Sequence, residues 1–334
     1  MGATIDDVAA RSGVSTATVS RVLSGSAPAR PETRERVLAA ARELDYRPSS
    51  IARALKRRET RTLGLVVTDI TNPFYPQVVR AVEAAAHARG YGIVLANGGD
   101  DSARELEHLD LLVERRVDGI VIASSRMTRR HADRLAAVPV PVVLINDTVA
   151  GSGLPAVTTA HRHGARMAGE HLIGLGHRRI GHIGAPAEHP AAGQRRQGLR
   201  DALRGAGLTD PLVGIGDGRV TGGALAAEAL VAAGVTGIVA YNDLTAIGAL
   251  GALRRGGIGV PDDVSVVGFD DIDLAAWTDP PLTTVRQPTD QLGLWAVEHL
   301  ADLLAGIGHR ASGPVQLEPM LVVRGSTGAA QGTV

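Results

Sequence analysis

From Thr62 onward, short β-branched runs alternate with amphipathic helical stretches, and this alternation restricts the chain more than any other feature. A first series reads LGLVVTD, a helix near Gln77–Arg89, GIVLAN, a helix near Ala103–Arg115, then GIVIAS and VVLIND. A second series contains RIGHIG, VTGIVAYND and VSVVGFDD. Strands that are apolar along their whole length are buried on both faces, which requires parallel sheets covered by crossover helices. The fold class is therefore α/β. Two series predict two lobes with a cleft between them, and ligands of such sheets bind at the carboxyl ends of the strands.

The first residues follow a different pattern. TIDDVAARSGVSTATVSRVL, Thr4 to Leu23, predicts two short helices and a tight turn. Thr4 can cap the first helix, and Asp6 and Asp7 fall in its first turn, where the helix dipole favours negative charge. Ile5, Val8 and Ala9 repeat at helical spacing. Gly13 supplies a left-handed residue to end that helix. Ser15 can cap the second, whose apolar side is Val19, Val22 and Leu23, while Thr16, Ala17, Ser20 and Arg21 lie opposite. A helical hairpin in an ordinary core would show the same local pattern, but a helix-turn-helix places the start of its second helix against base edges in the DNA major groove. A third helix is expected over Pro31–Leu44, with Pro31 at its first position. Pro48 ends it, and Ser49 can cap a very short segment from Ser50 to about Arg57. So few residues cannot hold a helix alone in water.

Charge separates the two regions. Residues 1–60 hold 11 basic and 7 acidic residues, while the rest holds 24 basic and 28 acidic, so the chain is neutral overall. A basic head on an acidic body implies that the head alone meets a polyanion. With no cysteine, disulfides, thiolate catalysis and cysteine zinc sites are excluded. No apolar run approaches the length of about 18 residues needed to span a membrane, and no signal-peptide core opens the chain, so a cytoplasmic protein is expected. Enzyme signatures are missing: no GxGxxG follows the first strand, GIGDG at Gly214–Gly218 has the wrong spacing, and no Walker A sequence or GxSxG elbow occurs. Six of the 11 histidines lie between His161 and His189, but not at the spacing of a metal-ligand set. HRH at 161–163 reads as a surface helix start. Neither catalysis, a metal nor a cofactor is expected.

The stretch Thr4–Leu23, then PETRERVLAAARELDYRPSSIARAL, LGLVVTDITNPFY and VVGFDDIDLAAWTDPPLTTVRQP, follow one another in the order and at the spacing of the LacI/GalR family of bacterial transcription repressors. The chain resembles that family from about Thr4 to about Arg324. The resemblance implies a helix-turn-helix domain over 1–47, a hinge helix and linker over 48–60, and a two-lobed core resembling periplasmic binding proteins over 61–330. The first lobe would take about 61–157 and 289–316, the second about 158–287 and 317–330. Candidate DNA contacts are Thr4, Ser15, Thr16, Ala17, Thr18, Ser20 and Arg21 in the head. In the hinge they are Leu55, matching a leucine wedged into the minor groove, and Ala52 and Arg53 beside it. That segment is expected to be a disordered linker without DNA and a helix with it. The family usually has Ser where this chain has Arg30, so the third helix is expected to lack a side-chain cap, at a cost of about 1 kcal/mol.

At the predicted strand ends stand Asn146, Asn242 and Asp270, with Arg195 in GQRRQGL. Acceptors and a fork of donors together suit the vicinal hydroxyls of a sugar. The resemblance puts Arg195 and Asp270 in the effector pocket and Asn146 and Asn242 beside them, although Asx side chains at such positions also cap neighbouring helices. Phe74 and Tyr75 are candidate apolar walls, with a simple packing role for NPFY as the alternative. Where relatives place a stacking aromatic this chain has Gly218, and where the purine-responsive branch has Arg it has His189. Both departures favour a sugar effector over a purine, with a nucleoside or other non-sugar ligand as the alternative within the family. A sugar-binding protein without regulatory role is the rival from another class, and the basic head argues against it. The expected partners are palindromic double-stranded operator DNA, a small-molecule effector and a second copy of the chain. The tail GSTGAAQGTV shows no heptad that would build a tetramer.

Overall fold

The computed structural model describes residues 3–24, 28–46, 59–124, 126–187, 189–307 and 313–331. The chain divides into two compact units, Met1–Arg61 and Thr62–Val334. Ala52, Arg53 and Leu55 lie outside the described residues.

The first unit holds α1 (Ile5–Ser12), α2 (Thr16–Ser24) and α3 (Pro31–Glu43). Thr4 closes a capping box: its hydroxyl accepts from the Asp7 amide at 3.3 Å, and the Asp7 carboxylate accepts from the Thr4 amide at 2.8 Å. This pairing satisfies two donors that a helix start leaves free. Gly13 ends α1 at φ 65°. The Ser15 hydroxyl accepts from the Thr18 amide at 3.3 Å, which fixes the start of α2. Val8, Val19, Val22, Val37, Ala40 and Ala41 bury one small core. Arg30 makes no side-chain bond at the start of α3, where Pro31 stands at the first position.

The second unit is built on two six-stranded sheets. The first contains β1 (Thr62–Val67), β2 (Gly92–Asn97), β3 (Gly119–Ala123), β4 (Val142–Ile145), β5 (Ala156–Thr159) and β11 (Val315–Leu317). Their order is β2-β1-β3-β4-β5-β11, all parallel. The second contains β6 (Ile180–Ile183), β7 (Leu212–Gly214), β8 (Gly237–Ala240), β9 (Ser265–Asp270), β10 (Thr283–Arg286) and β12 (Met320–Val322). It runs β7-β6-β8-β9-β10-β12, parallel except where β12 meets β10. The two lobes thus repeat one topology. β5 runs to Thr159 and β11 to Leu317, slightly beyond the lobe boundaries expected at 157 and 316.

Helices cover both faces of each sheet, as strands with alternate residues buried on opposite sides require. On the first lobe, α4 (Phe74–Ala88) and α11 (Thr289–Leu304) cover the side of Leu63, Leu65 and Val67; α5 (Ser102–Glu114) and α6 (Ala132–Ala136) cover that of Val66, Ile120 and Ile122. α4 begins at Phe74, earlier than expected from its sequence, because Asn72 accepts from the Phe74 amide at 3.0 Å and starts the turn. On the second lobe, α7 (His161–Gly174) and α8 (Pro190–Gly205) face α9 (Val220–Ala232) and α10 (Asp243–Arg255) across the sheet. The chain passes between lobes after β5, β10 and β11. Beyond β12 the tail docks on the second lobe: the fully buried Ser326 hydroxyl donates to the Val266 carbonyl at 2.6 Å and accepts from the Thr283 amide at 2.8 Å.

Candidate functional site

The carboxyl ends of β1, β3 and β4 face those of β8 and β9 across a cleft between the lobes. Its unfilled space is about 710 Å³, counting solvent at the mouth. Phe74, Tyr75, Asn146, His189, Arg195, Asn242 and Asp270 all line it. So do Asp69, Asp100, Arg126, His161, Asp217, Arg219, Tyr241 and Gln287, which sequence reasoning did not single out.

The floor is a buried polar cluster. Arg195 projects from α8 and is 4% exposed. Its Nη1 donates to the Tyr241 carbonyl at 2.5 Å, and Nη2 lies 3.4 Å from both Asp270 Oδ1 and His161 Nδ1. The guanidinium stacks 3.7 Å from the Phe269 ring centroid and 4.8 Å from that of Tyr241. Asp270 ends β9 at φ 119° and Asp271 follows at φ 55°, so two successive residues adopt the left-handed region that side chains disfavour. Buried Asp243 holds that turn, accepting from the Ile272 amide at 2.9 Å and from the Thr284 hydroxyl at 2.5 Å. Burial pushes the Asp270 carboxyl up to about 6, against the opposing pull of Arg195 and Gln287. Burial, reinforced by Arg195, keeps His161 well below its ordinary range and therefore neutral. Because a guanidinium only donates, His161 Nδ1 must accept, and the ring proton sits on Nε2. His161 Nε2 and Arg195 Nε are both buried donors without a partner among the described residues.

Gln287, in the crossover after β10, ties this floor to the first lobe. Its Nε2 donates to Asp270 Oδ1 at 2.7 Å, and its Oε1 accepts from Asn146 Nδ2 at 2.8 Å and the Thr159 hydroxyl at 2.7 Å. Asn146, at φ 53°, also accepts from the Thr159 amide at 2.8 Å. Asn242 caps α10 by accepting from the Thr245 amide at 2.9 Å and donates to the Gly218 carbonyl at 2.9 Å. The amide oxygen and nitrogen of each Asn are thus engaged within the protein.

The mouth is ionic. Arg126 binds Asp100 Oδ1 through Nη2 at 2.6 Å and Nε at 2.8 Å. Arg219, at the start of α9, reaches across to Asp69 Oδ2 at 3.0 Å and Asp100 Oδ2 at 3.6 Å. Burial would raise the Asp69 carboxyl, but bonds from Thr71 and Arg219 outweigh it and hold it below its ordinary value. His189 bridges the lobes as well, with Nε2 3.2 Å from Arg126 Nη2 and Nδ1 3.3 Å from the Tyr241 hydroxyl. Phe74 and Tyr75 pack edge to face at 5.4 Å and wall the first-lobe side. At Gly218, φ 79°, an added Cβ would come within 3.3 Å of His189 and 3.7 Å of Tyr241, so the Tyr241 ring stands beside the space that a larger residue 218 would need.

One reading needs correction. The helix of HRH does start at His161, but His161 is 3% exposed and belongs to the cleft floor; only Arg162 and His163 are on the surface. A β-strand leading straight into the helix turns its first residue inward, which neighbouring Arg and His concealed. Among the described residues no group of three or more His, Cys, Asp or Glu is placed to hold a metal, and no helix is long and apolar enough to cross a membrane.

In the first unit, Thr4, Ser15, Thr16, Ala17 and Arg21 are exposed, while Thr18 and Ser20 are half-buried. Arg21 folds back, its Nε donating to the Ala17 carbonyl at 3.3 Å.

Comparison with known proteins agrees with this fold. A family model of bacterial regulatory proteins of the lacI family matches residues 4–49. A model of periplasmic binding proteins and the sugar binding domain of the LacI family matches residues 60–315. The HTH-type transcriptional repressor CytR of Escherichia coli (strain K12) is 36% identical over 331 residues, 98% of this chain and 97% of its own. The ribose operon repressor of the same strain is 36% identical over 335 residues, 97% and 99% of the two chains. The crystal structure of the Lac repressor dimer bound to operator and the anti-inducer ONPF matches with a TM-score of 0.89 and 28% identity, over 98% of this chain and 100% of that one. The chain belongs to the LacI family of bacterial regulatory proteins: it is a transcription regulator that joins a helix-turn-helix to a periplasmic-binding-protein-like core, and it is not an enzyme.

Proposed function

We propose that the protein is a homodimeric, cytoplasmic repressor of genes for carbohydrate uptake or breakdown. Residues 1–47 bind the half-sites of a palindromic operator, residues 48–60 form the hinge, and residues 61–330 bind a sugar between the lobes. One observation carries the ligand reading: the cleft floor sets two buried donors without partners among the described residues, Arg195 Nε and His161 Nε2, beside the Asp270 carboxylate. Buried donors need acceptors, and a sugar's adjacent hydroxyls can accept from the donors while donating to the carboxylate. Binding between the lobes favours one lobe arrangement and so biases DNA affinity. Dimerisation fits the exposed apolar edges of the lobes, where Leu95 on β2 and Leu212 and Val213 on β7 stand at 43%, 44% and 49% exposure. In the head, Thr16 and Ala17 set base preference, and Arg21 and Arg53 supply phosphate or base contacts. Leu55 wedges the central base step, with Ala52 beside it.

The test is a selection of bound DNA from random sequence, followed by gel shifts with the recovered site and a panel of free sugars and nucleosides. A near-twofold site whose affinity falls steeply with salt and changes with one sugar is expected. A nucleoside acting in place of every sugar would replace the carbohydrate reading. A Thr16/Ala17 double variant should select a different operator, and recovery of the same operator would remove these residues from base recognition.

A further inference from the structure

We infer that the cleft excludes anionic ligands, and that Asp100 is the residue that enforces this selectivity. The inference deepens the ligand reading above and rests on it. Three guanidiniums line the cleft, those of Arg126, Arg195 and Arg219, and each already faces a carboxylate. Asp100 serves two of them, giving Oδ1 to Arg126 of the first lobe at 2.6 Å and Oδ2 to Arg219 of the second lobe at 3.6 Å. Asp69 takes the same Arg219 nitrogen at 3.0 Å, and Asp270 faces Arg195 at 3.4 Å. A fourth carboxylate, Asp217, lines the same space and accepts from the Arg219 amide at 2.8 Å. Among the described residues that line the cleft, no guanidinium is left over for an anionic group. A phosphoryl or carboxylate group on the ligand would have to expel one of these aspartates from its arginine while standing near the others, and the side chains of Arg195 and Arg126, 5% and 12% exposed, have little water to screen that repulsion. A hydroxyl can accept from or donate to the same pairs without breaking them.

Asp100 is the weak point of this arrangement because, among the described residues, it alone neutralises cations of both lobes. It sits at φ 65°, a conformation that Asn adopts as readily as Asp, so Asp100→Asn changes the charge and keeps the backbone. That variant leaves Arg126 and Arg219 a shared unbalanced charge at the mouth, with the fork geometry that suits phosphate.

The experiment measures thermal stabilisation of the full-length protein by inorganic phosphate against chloride at equal ionic strength, and by ribose and glucose against ribose 5-phosphate and glucose 6-phosphate. The native protein should gain nothing from phosphate beyond chloride and nothing from the phosphorylated sugars. Asp100→Asn should gain phosphate-dependent stabilisation, with apparent affinity at least roughly tenfold above the native protein's. Adding Arg219→Gln should remove most of that gain. Stabilisation of the native protein by phosphate or by either sugar phosphate overturns the inference, as does an Asp100→Asn protein that folds and gains nothing. Should that variant fail to fold, the native protein's response decides the matter. A native protein that answers to a nucleoside and rejects all sugars and phosphates supports charge selection while removing the carbohydrate reading, so the two can fail separately.

Discussion

The two lobes share one strand order but place their charges differently around the cleft. In the first lobe Asp69 and Asp100 lie at the mouth, with side chains 16% and 32% exposed, and their partner Arg219 is 56% exposed. In the second lobe Arg195 and Asp270 sit on the floor at 5% and 6% exposure, with Gln287 donating to the same Asp270 oxygen that faces Arg195 and Asp243 bracing the turn beneath. A buried polar network holds its geometry before ligand arrives and is costly to disturb. Exposed ion pairs exchange with water, weaken in salt and individually contribute little. On the proposed reading the floor sets how tightly a ligand is held, and the rim sets which charge state enters.

The largest expected effect tests the floor. Arg195→Ala and Asp270→Ala should each weaken sugar binding by about 10- to 100-fold, the loss of a charge-assisted bond. Calorimetric titration showing native affinity in both would move recognition to the rim. Acidification should act on the same residue: ligand affinity should hold at neutral pH and fall as Asp270 takes up a proton near 6. The Asp270 carboxyl in the fold binds its proton more tightly than in the unfolded chain, so protonation of this group favours the folded state. Affinity lost at roughly pH 5 should accordingly not be matched by loss of structure traceable to Asp270.

A second, smaller effect probes a buried carboxylate of the first lobe. Asp147 is buried beside Asn146, its Oδ2 has no partner among the described residues, and burial pushes its carboxyl up to about 7. Its ionised form costs the fold stability at alkaline pH, a cost that fades as pH falls through 7 and is gone below the ordinary carboxylate range. Asp147→Asn keeps the acceptor used by the Thr148 amide at 2.6 Å and should stabilise the protein by on the order of 2 kcal/mol near pH 8, and by almost nothing near pH 4. A melting temperature unchanged or lowered near pH 8 would mean that the carboxylate has a stabilising partner.

The smallest effect belongs to the rim. Arg219→Gln should shift sugar affinity by no more than a few-fold, as surface ion pairs of up to about 1 kcal/mol allow, and high salt should erase the difference from the native protein. A shift comparable to that of Arg195→Ala would show that the two layers of the cleft are not distinct.

The amino-acid sequence carries the local features directly. Thr4, Asp7, Gly13 and Ser15 act on amides within a few residues of themselves, so capping and turn chemistry suffice to place α1 and α2. Long apolar strands such as β1 and β9 stand out for the same reason. The short strands β7, β11 and β12 do not, because three residues carry no period and are held by their neighbours in the sheet. Asp270 and Arg195 could be named from strand-end position and family resemblance. Gln287 could not: its partners Asn146 and Thr159 are 141 and 128 residues away, and nothing near TVRQP announces them. Asp100 and Arg219 are hidden in the same way, since GGDD and GDGR read as turns until the lobes bring them to 3.6 Å. His161 was concealed by two surface neighbours of similar type.

The central claim is that the cleft floor reads the ligand and passes the result to DNA. Operator affinity, measured by fluorescence anisotropy across a titration of the sugar that most stabilises the native protein, tests it on Asp270→Ala. The expected result is native operator affinity without sugar and a response displaced to at least roughly tenfold higher sugar concentration. A response at the native concentration, or loss of operator binding before any sugar is added, would contradict it.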